Sequence, residues 1–310
     1  MAKPSTIGQY QSAVTEGCER VLVTLLRHLG PWRNSVYLVG GLAPRYLITK
    51  RPPAVPAHAG TADVDVVVDV AMLTDIEAYQ TLEANLQKMG FERAENEKGV
   101  KVSWRWQADV DGAKMVLEFL SDDPALRGGA VQELPVRGNV SAVNIPNASM
   151  VVDFHRSVEL TAELLDGHGE TTETVRYADI VSFTCLKAFA YDERREPKDA
   201  HDIVYCLEHY EGGLDAAIAE VRVGLETKHR DVILEALRRL ANRFCGADPE
   251  RAYLRDGPVA VARFEDDDAD VAGDEALRNQ RLLRQRLAAE LIAAFALPIL
   301  DEAGSTASQV

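Results

Sequence analysis

The chain has 310 residues, 46% of them hydrophobic, which is enough to bury a core in one large domain or two ordinary ones. Its formal net charge of -15 excludes general coating of nucleic acid and limits phosphate contacts to a small local basic site. No 18-residue apolar run and no signal-peptide pattern is present, so we expect a cytoplasmic protein that does not bind membranes. Four scattered cysteines predict buried free thiols.

The N-terminal half alternates between helical and strand-like patterns. The predicted elements are a helix at 10–29, a strand at 35–39, a proline-rich loop at 51–60, a strand at 64–70, a helix at 74–89, and strands at 100–108 and 114–120 joined by an Asp111-Gly112 turn. This order predicts a mixed sheet with flanking helices.

From residue 177 onward the pattern is mainly helical, and the acidic run 265–270 predicts a solvated linker. The predicted helices are 179–193, 198–210, 214–223, 229–244 and 274–297. The predicted fold class is therefore α/β (α+β), with an α/β domain at 1–175 and a helical domain at 176–310.

Two aspartates in TADVDVVVD (61–69) are candidate metal ligands and catalytic residues. Asp63 and Asp65 lie two apart on a predicted strand, so both side chains leave the same face, about 6–7 Å apart along the chain. Paired carboxylates repel each other and resist burial, and Mg²⁺ or Mn²⁺ would resolve both costs. The alternative is a solvated strand start, the commoner meaning of such a triplet alone.

Two further features add to this pattern. Gly40 and Gly41 follow a strand and precede a predicted helix, where backbone can approach a phosphate; an ordinary tight turn is the alternative. Glu118 interrupts an apolar strand and, if that strand lies beside the Asp63 strand, is the natural third metal ligand, with Asp122 as the substitute. An edge-strand glutamate facing water is the alternative.

Two lysines in the helical half are candidates for phosphate binding. Lys187 is the one basic residue between Arg176 and Arg194; its ammonium either extends along the helix to water or reaches a triphosphate. Lys198 lies in a first helical turn, where a cation opposes the dipole, and is one turn from Asp202. The two residues either simply pair or together place one cation on phosphate.

The combination of these motifs resembles the nucleotidyltransferases of the polymerase-β-like superfamily, most closely the AbiEii-type group, which includes toxins of toxin–antitoxin and phage-defence systems. The matching segments are VYLVGGLAPRYL (36–47), GTADVDVVVD (60–69), MVLEFL (115–120) and DIVSFTCLKAFAYDERREPKDAHDIVYCL (179–207). The resemblance implies that Gly40 and Gly41 contact the triphosphate and that Asp63, Asp65 and Glu118 form a catalytic metal-binding triad. It places Lys187, Lys198 and Asp202 in a nucleotide and phosphate site in the helical domain.

The implied activity is metal-dependent transfer of a nucleoside monophosphate from a nucleoside triphosphate to an acceptor hydroxyl, with Mg²⁺ or Mn²⁺ as cofactor. The implied acceptor is tRNA or other RNA, with protein or a small molecule as alternatives, and the implied partner is a cognate antitoxin. Leu42 stands where many relatives have serine or threonine, and Glu118 where aspartate is commoner. The competing hypothesis is therefore a non-catalytic nucleotide-binding or regulatory module with the same fold.

Overall fold

A computed structural model of the chain describes residues 5–10, 12–70, 82–96, 98–135, 139–165, 167, 169–246, 248–266 and 274–307. The chain divides into two compact units. A strand-rich unit comprises residues 11–46 and 60–179, and a helical unit comprises residues 1–10, 47–59 and 180–310. The predicted domain boundary at 175 falls inside the last strand, and the segment 47–59 groups with the C-terminal helices rather than with its sequence neighbours.

The strand-rich unit contains a mixed sheet. Its strands are β1 (Val36–Val39), β2 (Asp63–Val68), β3 (Glu92–Glu95), β4 (Lys101–Val110), β5 (Ala113–Ser121), β6 (Val131–Glu133), β7 (Ser141–Asn144), β8 (His155–Glu163) and β9 (Glu170–Ala178). The order is β3-β4-β5-β2-β1-β9-β8, and β7 pairs with both β5 and β6. β2 and β5 are parallel neighbours near the middle of this order, so the candidate carboxylates come from adjacent strands.

Helix α1 (Ser12–Leu29) packs against this sheet. Its Cys18 Sγ lies 3.4 Å from the Thr61 carbonyl oxygen and 3.5 Å from Met115 Sδ. Because Met115 and Glu118 are three positions apart on β5, their side chains point to opposite faces of the sheet. The core under α1 therefore lies on the face opposite the candidate carboxylates.

In its described residues the strand-rich unit also holds helical segments and a tight hairpin. The helices are α2 (Pro44–Leu47), α3 (Leu82–Lys88) and α4 (Met150–Asp153). The predicted helix at 74–89 is described only from residue 82, and its earlier part lies outside the described residues. The hairpin between β4 and β5 turns at Asp111 and Gly112, whose φ angles of 54° and 80° give the two left-handed positions typical of such turns.

The described residues of the helical unit contain six longer helices: α5 (Ile180–Arg194), α6 (Pro197–His209), α7 (Gly213–Gly224), α8 (Arg230–Phe244), α9 (Asp256–Glu265) and α10 (Glu275–Ala307). Its core contains large aromatic side chains that are almost fully buried, including Phe183, Tyr191, Phe244, Phe264 and Phe295. Among the helices in the described residues, none is long and apolar enough to cross a membrane.

The structure confirms the predicted fold class of a mixed sheet with flanking helices and a helical C-terminal part. The predicted strands at 35–39, 64–70, 100–108 and 114–120 correspond to β1, β2, β4 and β5. Strands β3 and β6 to β9 and helices α4 and α9 were not predicted. The predicted solvated linker at 265–270 is wrong for Glu265, which ends α9 and is ion-paired, while residues 267–270 lie outside the described part.

Candidate active site

The candidate carboxylates form a row across two adjacent strands. In the parallel pairing of β2 with β5, Asp65 is opposite Glu118 and Asp63 is opposite Val116. Residues directly opposite each other in a sheet share a face, so Asp63, Asp65 and Glu118 all project from the same side. All three are partly exposed, whereas Val64 and Leu117, on the other face, are buried. The condition set for Glu118, that its strand lie beside the Asp63 strand, is therefore met.

The glycine turn that follows β1 contacts Asp65. Gly40 has a φ of +70°, and a Cβ atom placed on it would lie 1.9 Å from Asp65 Oδ2. Both the backbone conformation and the close approach require glycine at this position. The turn and the carboxylate row therefore form one site, in which Asp65 is the residue in common.

The helix that follows this glycine turn is short. Gly40 and Gly41 begin a single 3-10 turn, Gly40–Leu42, and the following helix α2 spans only four residues, Pro44–Leu47. A helix this short aligns few peptide dipoles, so its N-terminus adds little to anion binding. Leu42, which stands where a hydroxyl was expected, is fully buried and packs in the core.

Glu118 has a basic neighbour. Arg105 is its partner across the β4–β5 pairing, and Arg105 Nε lies 3.0 Å from Glu118 Oε1. Both side chains are partly exposed, at 29% and 22%. Asp122, the substitute ligand, accepts hydrogen bonds from the Ser149 hydroxyl at 2.6 Å and the Ser149 backbone N–H at 3.1 Å. Asp122 therefore has a structural task at the start of α4.

Among the described residues, one group brings three possible metal-ligand atoms within 4.8 Å of one another. It consists of His58, His201 and Asp202. Asp63, Asp65 and Glu118 share a face without meeting that spacing. Asp63 and Asp65 are thus positioned to bind an ion from one side, and Glu118 joins them only by turning away from Arg105.

Lys187, Lys198 and Asp202 belong to a buried ionic network of the helical unit, which we call the lysine network. The Lys187 ammonium donates to Asp199 Oδ1 at 2.8 Å and to Asp202 Oδ2 at 2.6 Å. Lys198 donates to both Asp202 oxygens at 2.9 Å. Arg194 pairs with Asp199 through two hydrogen bonds, of 2.7 and 3.0 Å. The network therefore joins the end of α5 to the first two turns of α6.

The ionisation of the lysine network follows from mutual pairing. Burial alone would lower the pKa of Lys187, but the carboxylates of Asp199 and Asp202 outweigh it and raise that pKa above its usual range. Burial would raise the pKa of Asp202, but Lys187, Lys198 and His58 hold it well below its usual range. Lysine and carboxylates therefore stay charged together around neutral pH.

The two lysines differ in how they match the prediction. Lys187 is 7% exposed, so the alternative of a lysine extending to water is wrong. Lys198 and Asp202 do pair, which confirms that alternative and explains how a cation is held in the first turn of α6. Burial lowers the pKa of Lys198.

The basic residues at 45, 50, 51, 194, 195 and 198 lie nearest the candidate site in sequence and are the candidates for contact with RNA phosphates; most of them carry carboxylate partners. Arg45 pairs with Glu19, Arg194 with Asp199, Arg195 with Asp256 and Lys198 with Asp202. Lys50 is exposed, and Arg51 donates to the backbone carbonyl oxygens of Ile48 and Lys50. These pairs reduce the positive charge available to phosphate.

Three residues at these sites escaped the sequence analysis: Arg105, His58 and His201. Arg105 is opposite Glu118 in the register of a hairpin that was predicted, so counting back from the Asp111-Gly112 turn could have found it. Nothing in the spacing of His58, in a proline-rich loop, signals its contact with Asp202.

A scan against protein-family models gives no match to the chain. A search of curated proteins gives no significant match.

Proposed function

We propose that the protein is a metal-dependent nucleotidyltransferase that moves a nucleoside monophosphate from a nucleoside triphosphate to an acceptor hydroxyl. The observation that carries this proposal is the carboxylate row: Asp63 and Asp65 on β2 and Glu118 directly beside Asp65 on β5. The contact of Gly40 with Asp65 places a turn with no side chain next to that row.

The donor atoms of the row fit a hard divalent cation. Asp63 and Asp65 offer carboxylate oxygens on one partly exposed face, the ligand type that Mg²⁺ and Mn²⁺ prefer. When bound there, such an ion supplies neutralisation of charge on the transferring phosphoryl group. Gly40 and Gly41 leave room for phosphate oxygens beside Asp65, and Glu118 is the group placed to accept a proton from an attacking hydroxyl.

The lysine network supports binding of the triphosphate. Lys187 and Lys198 both contact Asp202, and Arg194 contacts Asp199, so three cations share two carboxylates and the network carries a net positive charge. A triphosphate would gain from that excess charge without any cation being brought out of water first. We therefore keep Lys187, Lys198 and Asp202 as proposed phosphate-site residues, with Asp202 holding the two lysines in place.

RNA, including tRNA, stays the proposed acceptor, and an antitoxin the proposed partner in a toxin–antitoxin setting. These proposals rest on the resemblance of the sequence motifs. Because the candidate arginines are ion-paired, contact with RNA would involve few phosphates, and its salt dependence would be shallow.

One observation favours the alternative of a non-catalytic nucleotide-binding module. Arg105 lies against Glu118, and a cation there opposes a metal ion at the third ligand position. Such a module would bind the triphosphate through Asp63 and Asp65 and transfer nothing.

Metal-dependent nucleotide binding is the experiment that tests the shared premise of both functions. Calorimetric titration with ATP, CTP, GTP and UTP should show binding of at least one nucleotide in Mg²⁺ or Mn²⁺ and loss of that binding in EDTA. Asp63→Asn should weaken it at least tenfold. Asp111→Asn is the matched control, because Asp111 is 81% exposed at the far hairpin turn. Equal binding by both variants and the wild type would remove the carboxylate row from the nucleotide site.

A further inference from the structure

His201, on α6, is a buried histidine in which one ring nitrogen is hydrogen-bonded and the other has no hydrogen-bond partner among the described residues. Its side chain is 3% exposed. Nδ1 lies 2.9 Å from Glu265 Oε1, and Arg284 contacts the same carboxylate. In the part of the chain that the structure describes, no protein group makes a hydrogen bond with the buried Nε2. A carboxylate on Nδ1 fixes the proton there, so Nε2 presents a lone pair to its surroundings.

Two further residues with possible metal-ligand atoms, His58 and Asp202, lie close to His201. The ring of His58 stacks on His201, with centroids 5.6 Å apart and an interplanar angle of 27°. His58 Nε2 lies 2.9 Å from Asp202 Oδ1. One ligand atom from each of the three residues lies within 4.8 Å of the others.

We propose that His58, His201 and Asp202 form a zinc site, distinct from the carboxylate row. Two imidazoles and one carboxylate are a common three-ligand set for Zn²⁺, which keeps a fourth position for water. Bonds of about 2.0–2.1 Å in a tetrahedral arrangement separate ligand atoms by roughly 3.3 Å. The 2.9 Å pair of His58 and Asp202 needs to open slightly, and the ligand atom of His201, which lies within 4.8 Å of the other two, needs to reach the same spacing.

The surroundings of this set resemble the outer layer of a metal centre. Glu265 orients His201 through Nδ1, as carboxylates commonly orient zinc-bound histidines. Lys187 contacts Asp202 Oδ2, while Lys198 Nζ and His58 Nε2 each lie 2.9 Å from Asp202 Oδ1. Lys187 and Lys198 repel a dication, which weakens the site without changing its ligand atoms. The nitrogen donors favour zinc over magnesium, so this site and the carboxylate row select different metals.

Bound zinc would fasten the loop 47–59 to α6. The loop is already held there by Tyr205, whose hydroxyl donates to the Pro56 carbonyl oxygen at 2.9 Å, and by His58 on Asp202. Bonds from a zinc ion to His58 on the loop and to His201 and Asp202 on α6 would replace the hydrogen bond between His58 and Asp202. Metal–ligand bonds are stronger than that hydrogen bond, so the loop would be held more firmly. Zinc would also compete with Lys187 and Lys198 for the carboxylate of Asp202.

Direct metal binding tests the proposal. The protein is stripped with EDTA, exchanged into buffer, and titrated with Zn²⁺ in competition with a chromophoric chelator. We expect one equivalent bound, and an X-ray absorption spectrum of the loaded wild type showing two imidazoles in the first coordination sphere. His201→Asn and His58→Asn should each lower zinc affinity at least tenfold, and Glu265→Gln by about 10–100-fold. His229→Asn, in the helical unit but outside the set, should bind as the wild type does.

Circular dichroism and urea unfolding of each variant in EDTA check that it folds before its affinity is compared. Stoichiometric binding without imidazole in the absorption spectrum, or no binding by the wild type, would overturn the zinc site. Asp63→Asn should bind zinc normally, so failure of the proposed transferase activity and failure of this inference give different results.

Discussion

Replacing Lys187 with methionine tests how much the lysine network contributes to the free energy of unfolding. Methionine keeps the apolar stem but removes the ammonium that donates to Asp199 at 2.8 Å and Asp202 at 2.6 Å. Removing one partner of a buried ion pair costs about 3–5 kcal/mol, because the remaining charge stays buried without compensation. Here Asp199 keeps Arg194 and Asp202 keeps Lys198, so we expect about 3 kcal/mol, the lower end of that range.

The assay is equilibrium urea unfolding of wild type and Lys187→Met at neutral pH, followed by far-UV circular dichroism. Lys88→Met is the control, since Lys88 is an exposed lysine on α3 and its loss should change stability by less than about 0.5 kcal/mol. Adding Asp199→Asn to Lys187→Met removes a carboxylate that has lost the ammonium, and its other partner, Arg194, is 50% exposed and can stay in water. The double variant should recover about 1 kcal/mol or more of the loss.

A loss below about 1 kcal/mol in Lys187→Met would refute this reasoning, because it would mean that the ammonium is dispensable to both carboxylates. A large loss that Asp199→Asn does not relieve would also contradict it. Weaker nucleotide binding by Lys187→Met is informative only in the folded variant, so binding should be measured well below its unfolding midpoint.

Two other predictions concern a glycine and a thiol. Gly40→Ala should destabilise the strand-rich unit more than Gly112→Ala, by at least about 1 kcal/mol in urea unfolding, because both glycines have positive φ but only at Gly40 would the added Cβ meet Asp65; equal losses would contradict the close approach. Burial raises the pKa of Cys245 to about 11, so its thiolate fraction is small near neutral pH and increases as the pH approaches 11. Peptide-resolved alkylation of the folded protein should therefore still accelerate above about pH 9, and a plateau near the ordinary thiol pKa of about 8.5 would show that the thiol is not buried.

The strands that carry the candidate carboxylates could be predicted because their composition alternates with the sheet. On β5, Glu118 interrupts an apolar run whose buried face is Met115, Leu117 and Phe119, and the structure places it as that alternation requires. The β8–β9 hairpin was missed although Val158, Leu160 and Ala162 on β8 alternate with polar residues, which is a period-2 signal, whereas β9 begins with a polar run that gives little such signal.

The ion pairs of the candidate site were harder to predict because they join residues distant in sequence. Lys187 finds its partners 12 and 15 residues further along, on another helix, where no helical spacing rule applies. Lys198 and Asp202, at i and i+4 on one helix, were predicted as a pair and are one. Local spacing thus identified the pair within α6, whereas the wider network depends on how α5 and α6 pack.

The proposed transfer of a nucleoside monophosphate is tested most directly by following the phosphates of a labelled nucleoside triphosphate. The protein is incubated with Mg²⁺ or Mn²⁺, total RNA and each triphosphate, labelled in parallel at the α- or the γ-phosphate. The account predicts that α-label enters RNA, that γ-label leaves as pyrophosphate, and that Asp65→Asn abolishes transfer while remaining folded. Transfer of α-label that persists in Asp65→Asn would place the metal chemistry away from the carboxylate row, and entry of γ-label into the product would show a phosphoryl transferase instead.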